Sequence, residues 1–174
     1  MLRTSVVLAA MAGLMLVGVC PAQEAAAKVA PVKVGALFAL TGKLAQVGKP
    51  SLAVAQMVVD EVNKTGGIHG RPIELVVVDI KSDPAEALNG FKRLVQKDKV
   101  VAVVGPTSTG DAMKCLRDVE ESRMPTIACV GGTPPVEPTR KHMFKTPQKT
   151  VTAVERIYQY CAKAGISKVA LLTA

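Results

Sequence analysis

Residues 100–111 read Val-Val-Ala-Val-Val-Gly-Pro-Thr-Ser-Thr-Gly-Asp: an apolar run, a loop of Gly, Pro and hydroxyl residues, then the start of a helical pattern. Such a loop aims backbone N–H groups and the positive end of a helix dipole at one point, which suits an anion. Ser108 and Thr109 add two side-chain donors. A nucleotide-phosphate loop of the Walker type ends Gly-Lys-Ser/Thr, whereas Gly110 is followed by Asp111 and Ala112. A carboxylate in that place repels a triphosphate, and no lysine reaches for one. The loop therefore reads as a holder for a small, singly charged group such as a carboxylate. The same residues also make an ordinary strand-to-helix turn with an N-cap, and the loop alone does not separate the two.

Other chemistry finds little support. Hydrolysis by a nucleophile needs Ser or Cys near a His and a carboxylate. The chain has only His69, in a Gly-Gly-Ile-His-Gly turn, and His142, after a basic run. Neither lies at metal-ligand spacing from a Cys or the other His, so no metal site is expected. No Gly-x-Gly-x-x-Gly follows a strand, and no cofactor is expected. Asp79 and Asp83 stand four apart across a turn, where a helix cap accounts for Asp83 without catalysis.

The elements that must carry the loop alternate. Residues 32–40 form an apolar run ending at Thr41-Gly42. After Pro50, Leu52, Ala55, Val58, Val59 and Val62 have the spacing of one helix face, closed by Gly66-Gly67. Residues 72–80 predict a buried strand, and Asp83-Pro84-Ala85-Glu86 opens a helix with Leu88, Phe91, Leu94 and Val95 inward. Residues 100–104 predict the third strand, and Ala112, Cys115, Leu116 and Val119 the buried face of the next helix. Strands are expected at 125–130 and 142–146, then a helix capped by Thr150, then a strand at 168–172. Near-continuous apolar strands between amphipathic helices indicate a doubly wound parallel α/β sheet, flavodoxin-like or Rossmann-like in order. Ligands of such sheets sit beyond the carboxyl ends of the strands, where the loops at 41–48, 105–111 and 130–133 gather.

The first residues stand apart. Arg3, the uncharged apolar run 6–19 and small residues at Ala25 and Ala27 describe a cleaved secretory signal over residues 1–27, with an uncleaved anchor as the alternative. Val19 before Cys20 argues against lipidation. The formal charge is +8, but Lys92-Arg93 and Arg140-Lys141 are the only adjacent basic pairs, and there is no Trp. Little is available to stack bases on, so no nucleic-acid partner is expected. Cys115, Cys129 and Cys161 remain after processing, too few for a disulfide framework; one bridge is compatible with export, but the spacing does not choose the pair.

Residues 63–73 (Asn-Lys-Thr-Gly-Gly-Ile-His-Gly-Arg-Pro-Ile), then Ser82-Asp83-Pro84-Ala85-Glu86-Ala87, then Gly105-Pro106 closely resemble the branched-chain amino-acid type of periplasmic substrate-binding protein. Residues 136–138 and 144–148 are also similar to that group, some of whose members take aromatic or other small organic acids. The resemblance implies two α/β lobes that close on a small ligand and deliver it to an ABC-type membrane permease. It places the first-lobe carboxylate contact on Thr109, beside Ser108. It implies further contacts at Val130 and Gly132 after the fourth strand, with Thr133 as a substitute where the family has Ser or Thr in place of Gly132. A side-chain wall falls near Gln46 and Val47, where relatives often carry an aromatic. A disulfide of some relatives falls on Ser82 and Ser108 and is absent.

Family members are roughly twice as long, so the chain is expected to hold the first lobe, incomplete, at residues 28–146, and a hinge with the truncated start of a second lobe at 147–174. The expected function is the periplasmic substrate-binding component of an importer of amino acids or related carboxylates, monomeric if complete and without enzymatic activity. The alternatives are a receptor's ligand-sensing domain or a small secreted α/β enzyme.

Overall fold

The computed structural model describes residues 29–170; the signal sequence expected at the start lies outside them. Five parallel strands, β1 (Val32–Phe38), β2 (Ile73–Asp79), β3 (Ala102–Val104), β4 (Thr126–Ala128) and β5 (Met143–Lys145), form one sheet in the order β2-β1-β3-β4-β5. That is the flavodoxin-like member of the two orders the sequence allowed. Its switch point lies between β1 and β3, paired with Val34 opposite Ala102 and Ala36 opposite Val104.

Four α-helices connect and follow the strands: α1 (Ala45–Lys64), α2 (Pro84–Arg93), α3 (Thr109–Ser122) and α4 (Thr150–Lys163). Because side chains alternate along a strand, Leu37 and Val103 point to one face of the sheet and Phe38 and Val104 to the other. Leu37 and Val103 join Ala87, Phe91, Leu94, Ala112, Cys115 and Val119 in the main core, beneath α2 and α3. Gly90 lets α2 approach closely, since a Cβ there meets Val78 and Leu37 within 2.9 Å.

On the opposite face α1 packs against β1 and β2. Val104, Ile127 and Phe144 stand in register across β3, β4 and β5 on this side, with Ile127 42% and Phe144 50% exposed. Beside α1 this row borders a cavity of about 530 Å³ lined by Phe38, Val54, Val104 and Cys129. No helix among the described residues is long and apolar enough to cross a membrane.

Several element boundaries differ from expectation. The first helix starts at Ala45 rather than after Pro50, which sits inside it. The backbone N–H of Leu44, just ahead of that helix, is satisfied by Ser82 Oγ at 3.0 Å, a tertiary contact that local sequence cannot display. Thr150 does not cap α4: the N-cap is Lys149, without a side-chain bond, and the Thr150 hydroxyl donates to Gly131 O. Lys168, Val169 and Ala170 form no strand, and Leu171 and Leu172 lie outside the described residues. A strand requires a neighbour to satisfy its backbone, and these residues have none in the described sheet. The Asp83 cap is present, its carboxylate accepting from Ala85 N at 2.6 Å and Glu86 N at 3.1 Å, while Glu86 pairs with Lys81.

Cys115, Cys129 and Cys161 are free thiols. Burial, aided by the negative charges of Asp111 and Asp118, pushes the Cys115 thiol up to about 12. It is therefore protonated and non-nucleophilic at pH 8. Iodoacetamide at pH 8 is expected to leave Cys115 unmodified in the folded chain and to label it once denaturant is added, as read by peptide mass spectrometry.

Candidate functional site

The site is built where β1 and β3 part. At the end of β1, Ala39 N–H, fully buried, donates to Thr107 Oγ1 at 2.8 Å. Gly105 makes this approach possible: its φ is +107° and a Cβ would lie 2.0 Å from Leu37 O. The next turn, residues 40–44, is gathered by Asp79 at the end of β2. Its carboxylate accepts from Leu40 N (2.8 Å), Thr41 N (3.3 Å), Thr41 Oγ1 (2.7 Å) and Lys81 N (2.8 Å). Ser82 closes the same turn, its hydroxyl donating to Thr41 O at 2.7 Å.

Ser108 is the N-cap of α3 in a complete capping box. Its Oγ accepts from Asp111 N at 3.1 Å, and its own N–H donates to Asp111 Oδ2 at 3.2 Å. Asp111 is 1% exposed, so its carboxylate is spent inside the turn. The N-cap reading of the loop is met, and the loop also leaves donors without partners. The N–H groups of Thr109 and Gly110, first in α3, have no partner among the described residues.

Thr109 is half-buried, and its Oγ1 accepts from Gly132 N at 3.2 Å. A hydroxyl that accepts one bond keeps its own hydrogen free to donate. The contact needs glycine at 132, where a Cβ would lie 2.6 Å from Thr109 Oγ1. On the other side of the same peptide, Gly131 O accepts from Lys145 Nζ at 2.8 Å and Thr150 Oγ1 at 3.1 Å. Lys145 Nζ also donates to Gln148 O at 3.2 Å, and Lys149 pairs with Glu137, so residues 131–137 are tied to the segment that leads into α4.

Of the residues expected in the site, Ser108, Thr109 and Gly132 are brought together. Thr133 follows at once, its carbonyl opening a turn by accepting from Val136 N at 2.9 Å. The Val130 side chain belongs to the core at 2% exposure, which leaves only its main chain for a ligand. Gln46 and Val47 are exposed, on the first turn of α1 rather than in a loop. Thr107 and Lys145 were not singled out, and Asp79 and Thr150 read in the sequence as turn and cap residues rather than as part of the site. Thr107 lies inside the loop motif and was open to recognition there; the others act through contacts distant in sequence.

The surroundings do not compete for this chemistry. Among the described residues no group of three His, Cys, Asp or Glu is placed to hold a metal ion. A cavity of about 710 Å³ runs along Thr150, Val154, Tyr158 and Ala162, on α4 alone, and includes no residue of the 105–111 loop.

A donor-lined turn thus stands at the switch point of a parallel sheet, the place where folds of this order bind their ligands. The sequence profile of the family described as "Periplasmic binding protein" matches residues 31–174, and the chain belongs to that family, in its type I, branched-chain amino-acid branch. It is 31% identical over 111 residues to Leu/Ile/Val-binding protein homolog 7 of Brucella melitensis, covering 64% of this chain and 26% of that protein. It is 37% identical over 76 residues to an amino acid binding protein of Pseudomonas aeruginosa, covering 44% of this chain and 20% of the relative.

Among solved structures, the branched-chain amino acid transporter substrate binding protein LivJ of Streptococcus pneumoniae, in complex with isoleucine, superposes with a TM-score of 0.65 at 32% identity, over 68% of this chain and 34% of LivJ. A solute binding protein of an ABC transporter from Rhodopseudomonas palustris, in complex with 3,4-dihydroxy benzoic acid, shares the fold with a TM-score of 0.69 at 23% identity, over 78% of this chain and 37% of that one. The chain thus spans about a quarter of the curated relatives and about a third of the solved chains. The family is one of extracytoplasmic substrate-binding proteins rather than enzymes.

Two outcomes follow from the scaffold. Thr107→Val keeps the shape but leaves the buried Ala39 N–H unpaired, and is expected to lower unfolding stability by about 1–3 kcal/mol in urea titrations. Although burial alone would raise it, hydrogen bonds from Lys81 N–H, the Thr41 hydroxyl and the Leu40 and Thr41 N–H groups hold the Asp79 carboxyl below its ordinary value. A depressed carboxyl contributes stability that is present above the ordinary carboxylate range, about 4, and is lost as pH falls through the folded value. Denaturation midpoints measured from pH 6 downward are therefore expected to fall less steeply for Asp79→Asn than for the unaltered chain.

Proposed function

We propose that this chain supplies the first ligand-binding lobe, residues 28–146, of a periplasmic substrate-binding component of an ABC-type importer, with a hinge and the start of a second lobe at 147–174. The ligand is a branched-chain or other amino acid, or a related small carboxylate, and the partner that receives it is the membrane permease. The observation that carries this reading is the Thr109 hydroxyl. It is positioned by Gly132 N–H at 3.2 Å, retains its own hydrogen as a donor, and stands beside the unpaired N–H groups of Thr109 and Gly110. Three donors at one helix N-terminus, beyond the carboxyl ends of parallel strands, suit one carboxylate. Ser108, Val130 through its main chain, Gly132, Thr133, Gln46 and Val47 form the proposed surroundings. The isoleucine held by LivJ and the aromatic acid held by the Rhodopseudomonas protein bracket the ligand class, since both carry a carboxylate.

Asp79 accepts four hydrogen bonds that shape its turn and Asp111 is 1% exposed, so neither is set to receive a ligand's amino group. Discrimination between an amino acid and a plain acid is therefore assigned to groups outside this donor cluster. A thermal-shift panel of amino acids and aromatic acids identifies the ligand. Thr109→Val, in a protein where this lobe is joined to a second, is then expected to weaken binding about tenfold or more by calorimetry, with the unfolding midpoint little changed. Unchanged affinity overturns the assignment.

A further inference from the structure

Asp111 already occupies the positive end of the α3 dipole with its own charge, so an anion at Thr109 gains less from the helix than an uncapped N-terminus would give. The described residues do not place a cation in direct contact with the Thr109 hydroxyl. A cation does stand at the far end of the hydrogen-bond chain that positions it. Lys145 Nζ donates to Gly131 O at 2.8 Å, and the N–H of that same peptide, on Gly132, donates to Thr109 Oγ1 at 3.2 Å.

A trans peptide points its C=O and N–H in opposite directions, so the ammonium, the amide and the hydroxyl are aligned head to tail. An amide whose oxygen accepts from an ammonium is polarised and donates more strongly through its N–H, and the polarised hydroxyl does the same in turn.

We infer that Lys145 is a positioning residue for the carboxylate grip, conveying its positive charge to Thr109 through the Gly131–Gly132 peptide without touching the ligand. The inference rests on the reading of Thr109 as that grip. Thr150 Oγ1, on the first turn of α4, donates to the same Gly131 oxygen at 3.1 Å, and Lys145 also holds Gln148 O at 3.2 Å. The end of β5, the connecting segment and the start of α4 therefore converge on one carbonyl. A change in the path of residues 146–150 reaches the ligand hydroxyl through that atom. Gly131 and Gly132 suit the role, because their peptide carries no side chain that would stand between Lys145 and Thr109.

The test uses amide NMR on the chain, with isoleucine and 3,4-dihydroxybenzoate as probes. In Lys145→Met the Gly132 amide proton is expected to move upfield and to exchange about fivefold faster or more, while Lys145→Arg restores both. Thr150→Val removes only an exposed hydroxyl and is expected to change the Gly132 amide in the same direction by a smaller amount. Probe-induced shifts at Thr109 and Gly110 are expected to need about threefold more probe in Lys145→Met than in Lys145→Arg. If the Gly132 amide keeps its shift and exchange rate in both Lys145→Met and Thr150→Val, the relay is overturned while the grip still stands. If Thr109→Val leaves the probe shifts intact, the grip itself is overturned, and the inference with it.

Discussion

Everything at the carboxyl edge of this sheet depends on one buried hydrogen bond, from Ala39 N–H to Thr107 Oγ1. In the order β2-β1-β3-β4-β5, the connections leaving β1 and β3 depart toward opposite faces, α1 on one and α3 on the other. Such a divergence opens a crevice and strands the backbone donor at the end of β1 away from water. Thr107 supplies the missing acceptor. In doing so it fixes the height at which Ser108 caps α3, and hence where Thr109 stands. Gly105 is a condition of the same contact, since any side chain there would run into Leu37 O.

Charge is handled in layers around that bond. Asp79 and Asp111 sit close to the crevice, yet Asp79 accepts three N–H bonds and one hydroxyl bond, and Asp111, 1% exposed, accepts from Ser108 N, so their negative charge goes into turning the backbone. What remains without a partner at the start of α3, among the described residues, is a set of donors. Another contact works farther out: Glu120 accepts from His142 N at 3.0 Å and lies 3.3 Å from its ring Nδ1, joining α3 to the entry of β5. The hydrogen bonds from the His142 N–H, the His142 ring and the Lys141 N–H hold the Glu120 carboxyl below its ordinary value.

The alternation of strands and helices was legible because burial on both faces leaves continuous apolar runs, and Asp83-Pro84 and Gly66-Gly67 mark helix ends by local rules. The switch-point loop was legible for the same reason: Gly105, Pro106 and three hydroxyls in a row announce a turn that needs unusual backbone and extra acceptors. Where the reading failed, the deciding partner was distant. Pro50 looked like a helix start because Ser82, thirty-eight residues from Leu44, serves the real one. Val130 looked available because a position in a loop says nothing of which way its side chain turns, and here it turns into the core. Thr150 looked like a cap, but a carbonyl nineteen residues away claims its hydroxyl. Lys145 carried no local signal, being one lysine among many.

The missing side chain at Gly132 has a geometric corollary. With nothing between them, the loop after β4 and the first turn of α3 meet at hydrogen-bonding range, and the space for a Cβ at 132 is already filled by Thr109. A side chain at 132 could be admitted only if the Thr109 side chain turned away or the two loops moved apart. The two positions are thus coupled in volume: bulk added at one must be taken up by movement at the other.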